Sequence, residues 1–344
     1  MKALIRTGLE PKQFSYKEVP VPRINEKQAL VRVKAVGVCG TDYHMWTGSI
    51  VTDTPIIVGH EFCGIVEKVG EKVKNVEKGD KVVSRLNIGT CGICLACLSG
   101  NPQMCIHRKC PGFQINGAYA EYIAIEGKQL MKISDDVPFT SGALAEPTAI
   151  VTHALLERTK IEAEDTVVVF GPGPIGLLAI QLSVLYGASQ VVVVGTNVDE
   201  NVRLPLAKKM GANITVNAQK EDVAKKIMEF TGGKGTDIVI EASGAEAAIN
   251  AGISVLRRQG RMCVIGIPTT KRNTICWENA VQKSLEVIFT YSSSPTSWNK
   301  VVSMYNRGAI DVTDLITHTC SLKEYSELFT EIGKGNVIKG LFLP

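Results

Sequence analysis

The sequence lacks the features that mark membrane-spanning, nucleic-acid-binding or exported proteins. It contains no run of about 18 apolar residues, which a helix needs to cross a lipid bilayer. It has no dense block of lysine and arginine, and its net charge of +4 is small, so nucleic acid and membrane surfaces are not expected partners. Its first residues lack the apolar core and cleavage site of an export signal, which predicts a cytoplasmic protein.

The composition is typical of a folded protein with more than one domain. Hydrophobic residues make up 45% of the chain and charged residues 21%, which argues against disorder. A length of 344 residues favours two domains over one core. The first 150 residues contain short, roughly alternating β-branched segments, whereas from about Glu164 strands alternate with helices. The second pattern predicts a parallel sheet with helices on both faces.

Four of the ten cysteines form a compact cluster. Cys91, Cys94, Cys97 and Cys105 follow the spacing C-x2-C-x2-C-x7-C within a loop-like segment, residues 87–111. Four thiolates can close around one tetrahedral zinc ion, and such a filled site is structural. Without an export signal, the spacing favours metal binding over disulfides, and a redox role for Cys91 and Cys94 is the alternative. The cluster therefore predicts a structural zinc that holds an irregular insertion in place.

A glycine fingerprint indicates a dinucleotide site. The run Gly171-Pro172-Gly173-Pro174-Ile175-Gly176 directly follows a predicted strand, Thr166 to Phe170, and opens a predicted helix. Glycines allow the backbone to approach a pyrophosphate, and the helix N-terminus supplies N–H donors. Ser243 and Gly266 end later predicted strands, at the same carboxyl edge of the sheet. This context predicts that the second domain binds NAD or NADP.

The end of the next strand bears on which of these two cofactors is bound. NAD-specific folds place an acidic residue there to bind the ribose hydroxyls, but this strand ends in Gly195 and Thr196. A small residue and a hydroxyl leave room for a 2′-phosphate, which Arg203 could reach. The alternative is that Asp199 or Glu200 folds back onto the ribose. The expectation is NADP rather than NAD.

A second set of metal-type residues lies upstream of the cysteine cluster. Cys39 and His60 supply a thiolate and an imidazole, and a carboxylate completes a set that suits Zn²⁺. Glu61 and Glu146 both compete for the third place. Three protein ligands leave a fourth position open, which is the mark of a catalytic metal site.

Together these motifs resemble the zinc-containing medium-chain dehydrogenase/reductase superfamily, in the branch of sorbitol-type polyol and threonine dehydrogenases. The resemblance covers essentially the whole chain. It rests on the cysteine cluster, the glycine fingerprint and four further motifs: Cys39-Gly40-Thr41-Asp42, Gly59-His60-Glu61-Phe62, Gly79-Asp80-Lys81-Val82 and Glu146-Pro147.

The resemblance implies an α/β fold with two domains. A GroES-like β-barrel catalytic domain would comprise residues 1–150 and 291–344, and a Rossmann domain would comprise residues 151–290. Cys39 and His60 would bind the catalytic zinc, with Glu61 as third ligand and Glu146 approaching the metal or its bound water, so that the two carboxylates exchange. Thr41 and His44 match the hydroxyl-and-histidine proton relay of related alcohol dehydrogenases.

The implied activity is interconversion of a secondary alcohol and a ketone with NAD(P), and a polyol or sugar-derived alcohol is the favoured substrate. L-Threonine, a simple secondary alcohol or a larger hydroxylated molecule are alternatives within the same chemistry. A non-catalytic nucleotide-binding protein is the alternative from another class. By analogy with the family, the chain is expected to form a dimer or a tetramer.

Overall fold

The computed structural model describes residues 1–268, 270 and 272–344. This part of the chain forms two compact units, Met1–Ala149 together with Ser294–Pro344, and Ile150–Ser293. Its strands are β1 (Lys2–Arg6), β2 (Phe14–Glu18), β3 (Gln28–Gly37), β4 (Ile56–Ile57), β5 (Glu61–Val69), β6 (Lys81–Ser84), β7 (Tyr122–Glu126), β8 (Leu130–Lys132), β9 (Thr166–Phe170), β10 (Gln190–Gly195), β11 (Ile214–Asn217), β12 (Thr236–Glu241), β13 (Leu256–Val264), β14 (Glu286–Phe289), β15 (Ile316–Cys320) and β16 (Lys339–Phe342).

Helices occur in both units. They are α1 (Gly40–Trp46), α2 (Leu95–Leu98), α3 (Phe139–Gly142), α4 (Ala145–Thr152), α5 (Pro174–Leu185), α6 (Arg203–Lys209), α7 (Val223–Phe230), α8 (Glu246–Val255), α9 (Trp277–Gln282), α10 (Pro295–Asn306) and α11 (Tyr325–Gly333), with a π-helical stretch at His153–Thr159. None of the described helices has the length and apolar character needed to span a lipid bilayer.

The first unit is built mainly from antiparallel strands. One sheet has the order β2-β1-β4, and a larger one has the order β15-β16-β3-β5-β6-β8, with β7 also paired to β3. Strand β3 alternates between buried and more exposed residues, as expected of a sheet with one face on a core. Leu341 of β16 pairs with Gly37 of β3, so the residues from Ser294 onward close the same unit as the first 149.

The second unit contains one parallel sheet. Its order is β11-β10-β9-β12-β13-β14, and each neighbouring pair is parallel. The reversal of order between β9 and β12 creates the crevice in which doubly wound sheets bind ligands. Buried valines of the central strands, including Val168, Val192 and Val239, form its core with residues of the covering helices. This is the Rossmann architecture that the sequence predicts.

Several element boundaries differ from the sequence prediction, and in the second unit the differences at α5 and β13 are the largest. The sequence predicts a helix from Leu177 to Tyr186, but α5 begins at Pro174, because proline has no N–H to lose and fits the first helical position. The sequence predicts a strand from Arg261 to Ile265, but β13 begins at Leu256, with an irregular register where it leaves Thr236 of β12. Strands β9 and β14 have the bounds that the sequence predicts, Thr166 to Phe170 and Glu286 to Phe289.

Candidate metal and cofactor sites

The backbone at the ends of β3 and β5 brings three metal-type side chains together. Cys39 caps the N-terminus of α1, and His60 and Glu61 lie at the start of β5. Gly59 turns the chain into this strand with a φ of +88°, and a Cβ there would come within 2.2 Å of the Tyr119 ring, so only glycine fits. Ligand atoms of Cys39, His60 and Glu61 lie within 4.8 Å of one another.

Asp42 supports this cluster, and the sequence did not identify it as a site residue. Its Oδ1 lies 3.7 Å from His60 Nδ1, and its Oδ2 accepts hydrogen bonds from Tyr119 Oη at 2.7 Å and from the Cys39 N–H at 2.9 Å. A carboxylate beside one ring nitrogen orients a histidine so that the other nitrogen can bind a metal. Asp42 and Tyr119 are 77 residues apart in the chain, so only the fold shows this contact.

The local field favours a cation. Burial lowers the pKa of His60, but the negative charges of Asp42 and Cys39 outweigh burial and raise this pKa well above its usual value. Glu146, at the start of α4, is buried and is not part of the three-residue group. Burial, reinforced by the nearby Glu61 carboxylate, raises the pKa of Glu146 to about 7. Two buried carboxyls and a thiol in one region favour the binding of positive charge.

A zinc ion fits this donor set. The thiol, imidazole and carboxylate are zinc ligands by type, and three of them leave a position open. Thr41 Oγ1 and His60 Nδ1 are buried without a hydrogen-bond partner among the residues that the structure describes. Thr41 and His44 are three positions apart in α1, the spacing that puts two side chains on one helix face. The arrangement is consistent with their predicted relay role, which remains a prediction.

The cysteine cluster also fits zinc. Ligand atoms of Cys91, Cys94, Cys97 and Cys105 lie within 4.8 Å of one another, and the sulfurs of Cys91 and Cys105 are 3.6 Å apart. A tetrahedron with Zn–S bonds of about 2.3 Å has edges of about 3.8 Å. A backbone N–H bond from Cys91 is the main reason that the pKa of Cys105 is lowered to about 6, whereas burial and neighbouring thiols raise that of Cys97 to about 12. A divalent cation would allow all four to ionise.

The loop around the cluster has little hydrophobic support of its own. Its short helix α2 buries no residue, and Ile93, Leu95, Leu98 and Ile106 are each more than 70% exposed. A segment that buries so little apolar surface cannot offset its loss of conformational entropy by packing. Metal binding is the interaction by which such a segment becomes ordered.

The second unit contains a cavity of about 380 Å³ at the carboxyl edge of its sheet. Six predicted cofactor residues line it: Gly171, Gly173, Gly195, Thr196, Arg203 and Ser243. Gly171 has a φ of +91°, and a Cβ on Gly176 would meet the Gly171 carbonyl oxygen at 2.0 Å. Pro174 and Ile175 form the first turn of α5. The glycine loop therefore has the tight turn that the approach of a pyrophosphate requires.

Asp199 is already bonded within the loop that follows β10. Its Oδ2 accepts hydrogen bonds from Thr196 N at 2.9 Å and Thr196 Oγ1 at 3.1 Å, and its Oδ1 pairs with Arg203 at 3.0 Å. The carboxylate is only 7% exposed, so most of its capacity to accept further bonds is used. Glu200 instead pairs with Lys220 at the surface.

Glu241 organises the loop that carries the cavity residue Ser243, and the sequence analysis does not single it out. Its buried carboxylate accepts hydrogen bonds from Ser243 N at 2.8 Å and Gly244 N at 2.9 Å. Gly266 does not line the cavity; a Cβ there would meet Gly244 N at 2.2 Å and Glu241 Oε2 at 2.6 Å. Gly266 therefore permits close packing behind the Ser243 loop.

Comparison with known proteins identifies the family. Residues 25–135 match the alcohol dehydrogenase GroES-like domain, and residues 174–307 match the zinc-binding dehydrogenase domain. D-arabitol-phosphate dehydrogenase of Enterococcus avium is 35% identical over 98% of this chain and 96% of its own. The chain belongs to the zinc-containing medium-chain dehydrogenases. As a member of this superfamily it is an oxidoreductase that uses zinc and NAD(P) to act on an alcohol.

Further relatives place this dehydrogenase in the polyol and threonine branch. Sorbitol dehydrogenase of Halalkalibacterium halodurans is 35% identical over 100% of this chain and 99% of its own. L-threonine 3-dehydrogenase of Bacillus velezensis is 34% identical, with coverages of 95% and 94%. The solved structure of a zinc-binding dehydrogenase from Sinorhizobium meliloti bound to NADP aligns with a TM-score of 0.93 at 28% identity, covering 100% of this chain and 99% of that one.

Proposed function

We propose that this dehydrogenase interconverts a secondary hydroxyl of a polyol or sugar-derived alcohol and the corresponding ketone, with two zinc ions per chain. The buried group of Cys39, His60 and Glu61 is the observation that carries the proposal, because it offers three ligands and an open position. The full-length similarity to D-arabitol-phosphate and sorbitol dehydrogenases supports a hydroxylated sugar derivative as substrate.

In this proposal, different residues bind the metal, orient its ligands and transfer the proton. Cys39 and His60, with Glu61 or Glu146, would hold a zinc ion whose Lewis acidity would favour loss of the hydroxyl proton and of hydride to the nicotinamide. Asp42 fixes the orientation of the His60 ring. Thr41 Oγ1 accepts the hydroxyl proton, and His44, one helical turn away, passes it towards solvent. Cys91, Cys94, Cys97 and Cys105 hold the second, structural zinc.

We propose NADP as the preferred cofactor. Thr196 and Arg203 line the cavity at the end of β10, and Asp199 is engaged by both, so the ribose end presents a hydroxyl and a guanidinium. Such donors suit a 2′-phosphate better than two ribose hydroxyls.

The substitution Arg203→Ala tests this preference. It should raise the KM for NADP⁺ about 10-fold or more, because a charge-assisted hydrogen bond to the phosphate is lost. The KM for NAD⁺ should be nearly unchanged. Lys220→Ala, which removes an exposed cation from the neighbouring loop, is the control.

The second candidate substrate is L-threonine, which the 34% identity to a threonine 3-dehydrogenase favours. The deciding experiment measures initial rates on polyols, sugar alcohol phosphates, L-threonine and simple secondary alcohols. Each is tested with NAD⁺ and NADP⁺, before and after chelation. A chelator-sensitive rate that is highest on a polyol or its phosphate supports the proposal. A higher rate on L-threonine replaces the substrate class, and equal rates with both cofactors contradict the NADP preference.

We also propose that the chain assembles as a dimer or tetramer through β14. This strand forms the edge of the parallel sheet, and Phe289 at its end is 66% exposed. An exposed apolar edge strand is a template for pairing with a second copy.

A further inference from the structure

A buried lysine, which the sequence did not single out, lies next to the candidate catalytic metal site. Lys339 of β16 is only 3% exposed. Its Nζ forms an ion pair with Glu61 Oε2 and donates a hydrogen bond to the Val38 carbonyl at 3.0 Å. Burying an ammonium group is costly unless it is paired, so this contact fixes both side chains.

Three neighbouring strands create the space for this ion pair. Gly37 of β3 pairs with Glu61 of β5 on one side and with Leu341 of β16 on the other. A Cβ on Gly37 would lie 2.2 Å from Glu61 Oε2 and 3.1 Å from Lys339 Cε. The missing side chain of Gly37 therefore leaves the gap in which the ammonium and the carboxylate meet.

The same carboxylate also belongs to the metal-ligand group. A ligand oxygen of Glu61 lies within 4.8 Å of ligand atoms of Cys39 and His60, while Lys339 contacts its Oε2. Two cations thus compete for one carboxylate, a bound metal and a fixed ammonium. We infer that Lys339 is a positioning residue: by pairing with Glu61 Oε2 it draws this carboxylate away from the metal and sets how readily Glu61 leaves it. This inference rests on the metal-binding role proposed for Glu61.

Two physical effects follow when the ammonium is removed. In Lys339→Met the Glu61 carboxylate loses its competing partner, so it remains on the metal. The metal-free protein also retains an unpaired buried carboxylate, which further favours the metal-bound form. Zinc release should therefore slow about 10- to 100-fold, the range seen when groups behind metal ligands are changed.

The test follows zinc release to a colorimetric chelator from purified holoenzyme, and the absorption spectrum after cobalt substitution. The phase of zinc release that is missing in the Cys39→Ser protein is assigned to the catalytic site. Lys81→Met is the matched control, because Lys81 is also buried and donates to the Asp135 and Val137 carbonyls, at 2.8 Å and 2.6 Å, but does not contact Glu61. It should lower stability and leave the catalytic release phase and the cobalt spectrum unchanged.

A double-mutant cycle shows whether Lys339 acts through Glu61. In a Glu61→Gln background, Lys339→Met should no longer slow zinc release. Release that is unchanged or faster in Lys339→Met, or an equal effect in both backgrounds, overturns the inference. Neither readout requires a substrate, so the inference can stand if every tested alcohol proves inactive. Conversely, the inference about Lys339 can fail although polyol oxidation is observed.

Discussion

Thr41 carries a buried hydroxyl that has no hydrogen-bond partner among the described residues. If this hydroxyl passes the substrate proton to His44, Thr41→Val should lower kcat about 100- to 10,000-fold, the range for general acid–base groups. The free energy of unfolding should change by less than about 1 kcal/mol, because no hydrogen bond within the described structure is lost. Steady-state kinetics and urea unfolding measure the two effects. Near-normal turnover would exclude the relay.

Cys263 lies near the end of β13 and is fully buried. Burial raises the pKa of its thiol from 9.0 to about 11. Between these values the unfolded chain releases the thiol proton and the folded chain keeps it, so stability is intact below pH 9 and falls as pH rises towards 11. This one group should cost about 2–3 kcal/mol across that window.

Urea unfolding of the native protein and of Cys263→Ala, at intervals from pH 8 to pH 11, measures this contribution. The variant should be less stable at pH 8 because of the lost packing, but its stability should fall less steeply above pH 9. Parallel slopes for the two proteins would show that the thiol does not titrate differently in the folded state.

Single residues also show what the sequence could not predict. The metal-type residues Cys39, His60 and Glu61 were identifiable because their chemistry is specific to few tasks. Asp42, Tyr119 and Lys339 were not, because an acid, an aromatic and a cation occur at many positions for many reasons. Their roles follow from pairings that the three-dimensional fold makes, such as that between Lys339 and Val38 across 301 positions.

Among the elements, the four-cysteine loop and the β5 site differ in what metal loss should do. Helix α2 within the loop buries no residue, so Cys94→Ser should remove the loop's organising interaction. We expect a stability loss above about 4 kcal/mol, or failure of assembly, as is typical when a structural metal is lost. Cys39 lies beside a well-packed sheet, so the Cys39→Ser protein should remain folded but lose its turnover. Thermal unfolding and zinc content distinguish the two, and an equal loss of folding would refute this division.

Elements were predictable where one local signal dominates. Strand β9 was predicted with its observed bounds because five consecutive residues, Thr166 to Phe170, are β-branched or aromatic. Strand β11 and helices α7 and α8 were not predicted individually. Helix α7 carries lysines and a glutamate among its apolar residues and buries only Ile227, so its packing rather than a long apolar run defines it. Tertiary contacts decide such elements.

At the scale of the whole molecule, the exposed edge of the parallel sheet is the feature that bears on assembly. Among the strands that the structure describes, β14 pairs only with β13, and Phe289 is exposed. If two copies join there, Phe289→Asp should convert the oligomer to monomers, because it places a charge at an apolar contact. Analytical ultracentrifugation measures the change. Leu9→Asp, on the other unit and 49% exposed, is the control. An oligomer that survives Phe289→Asp would exclude this edge as the interface.

The two metal sites also differ in how much of the chain must be present before each site can form. Cys91 and Cys105 are 14 positions apart, so the four-cysteine site closes within one short loop. The environment of Glu61 is complete only when β16 has returned to β3, with Lys339 and Val38 separated by 301 positions. On the ribosome, the loop can capture zinc while the Rossmann domain is still being made. When zinc is scarce, newly made chains should therefore fill their structural site first and accumulate as folded protein without a catalytic metal.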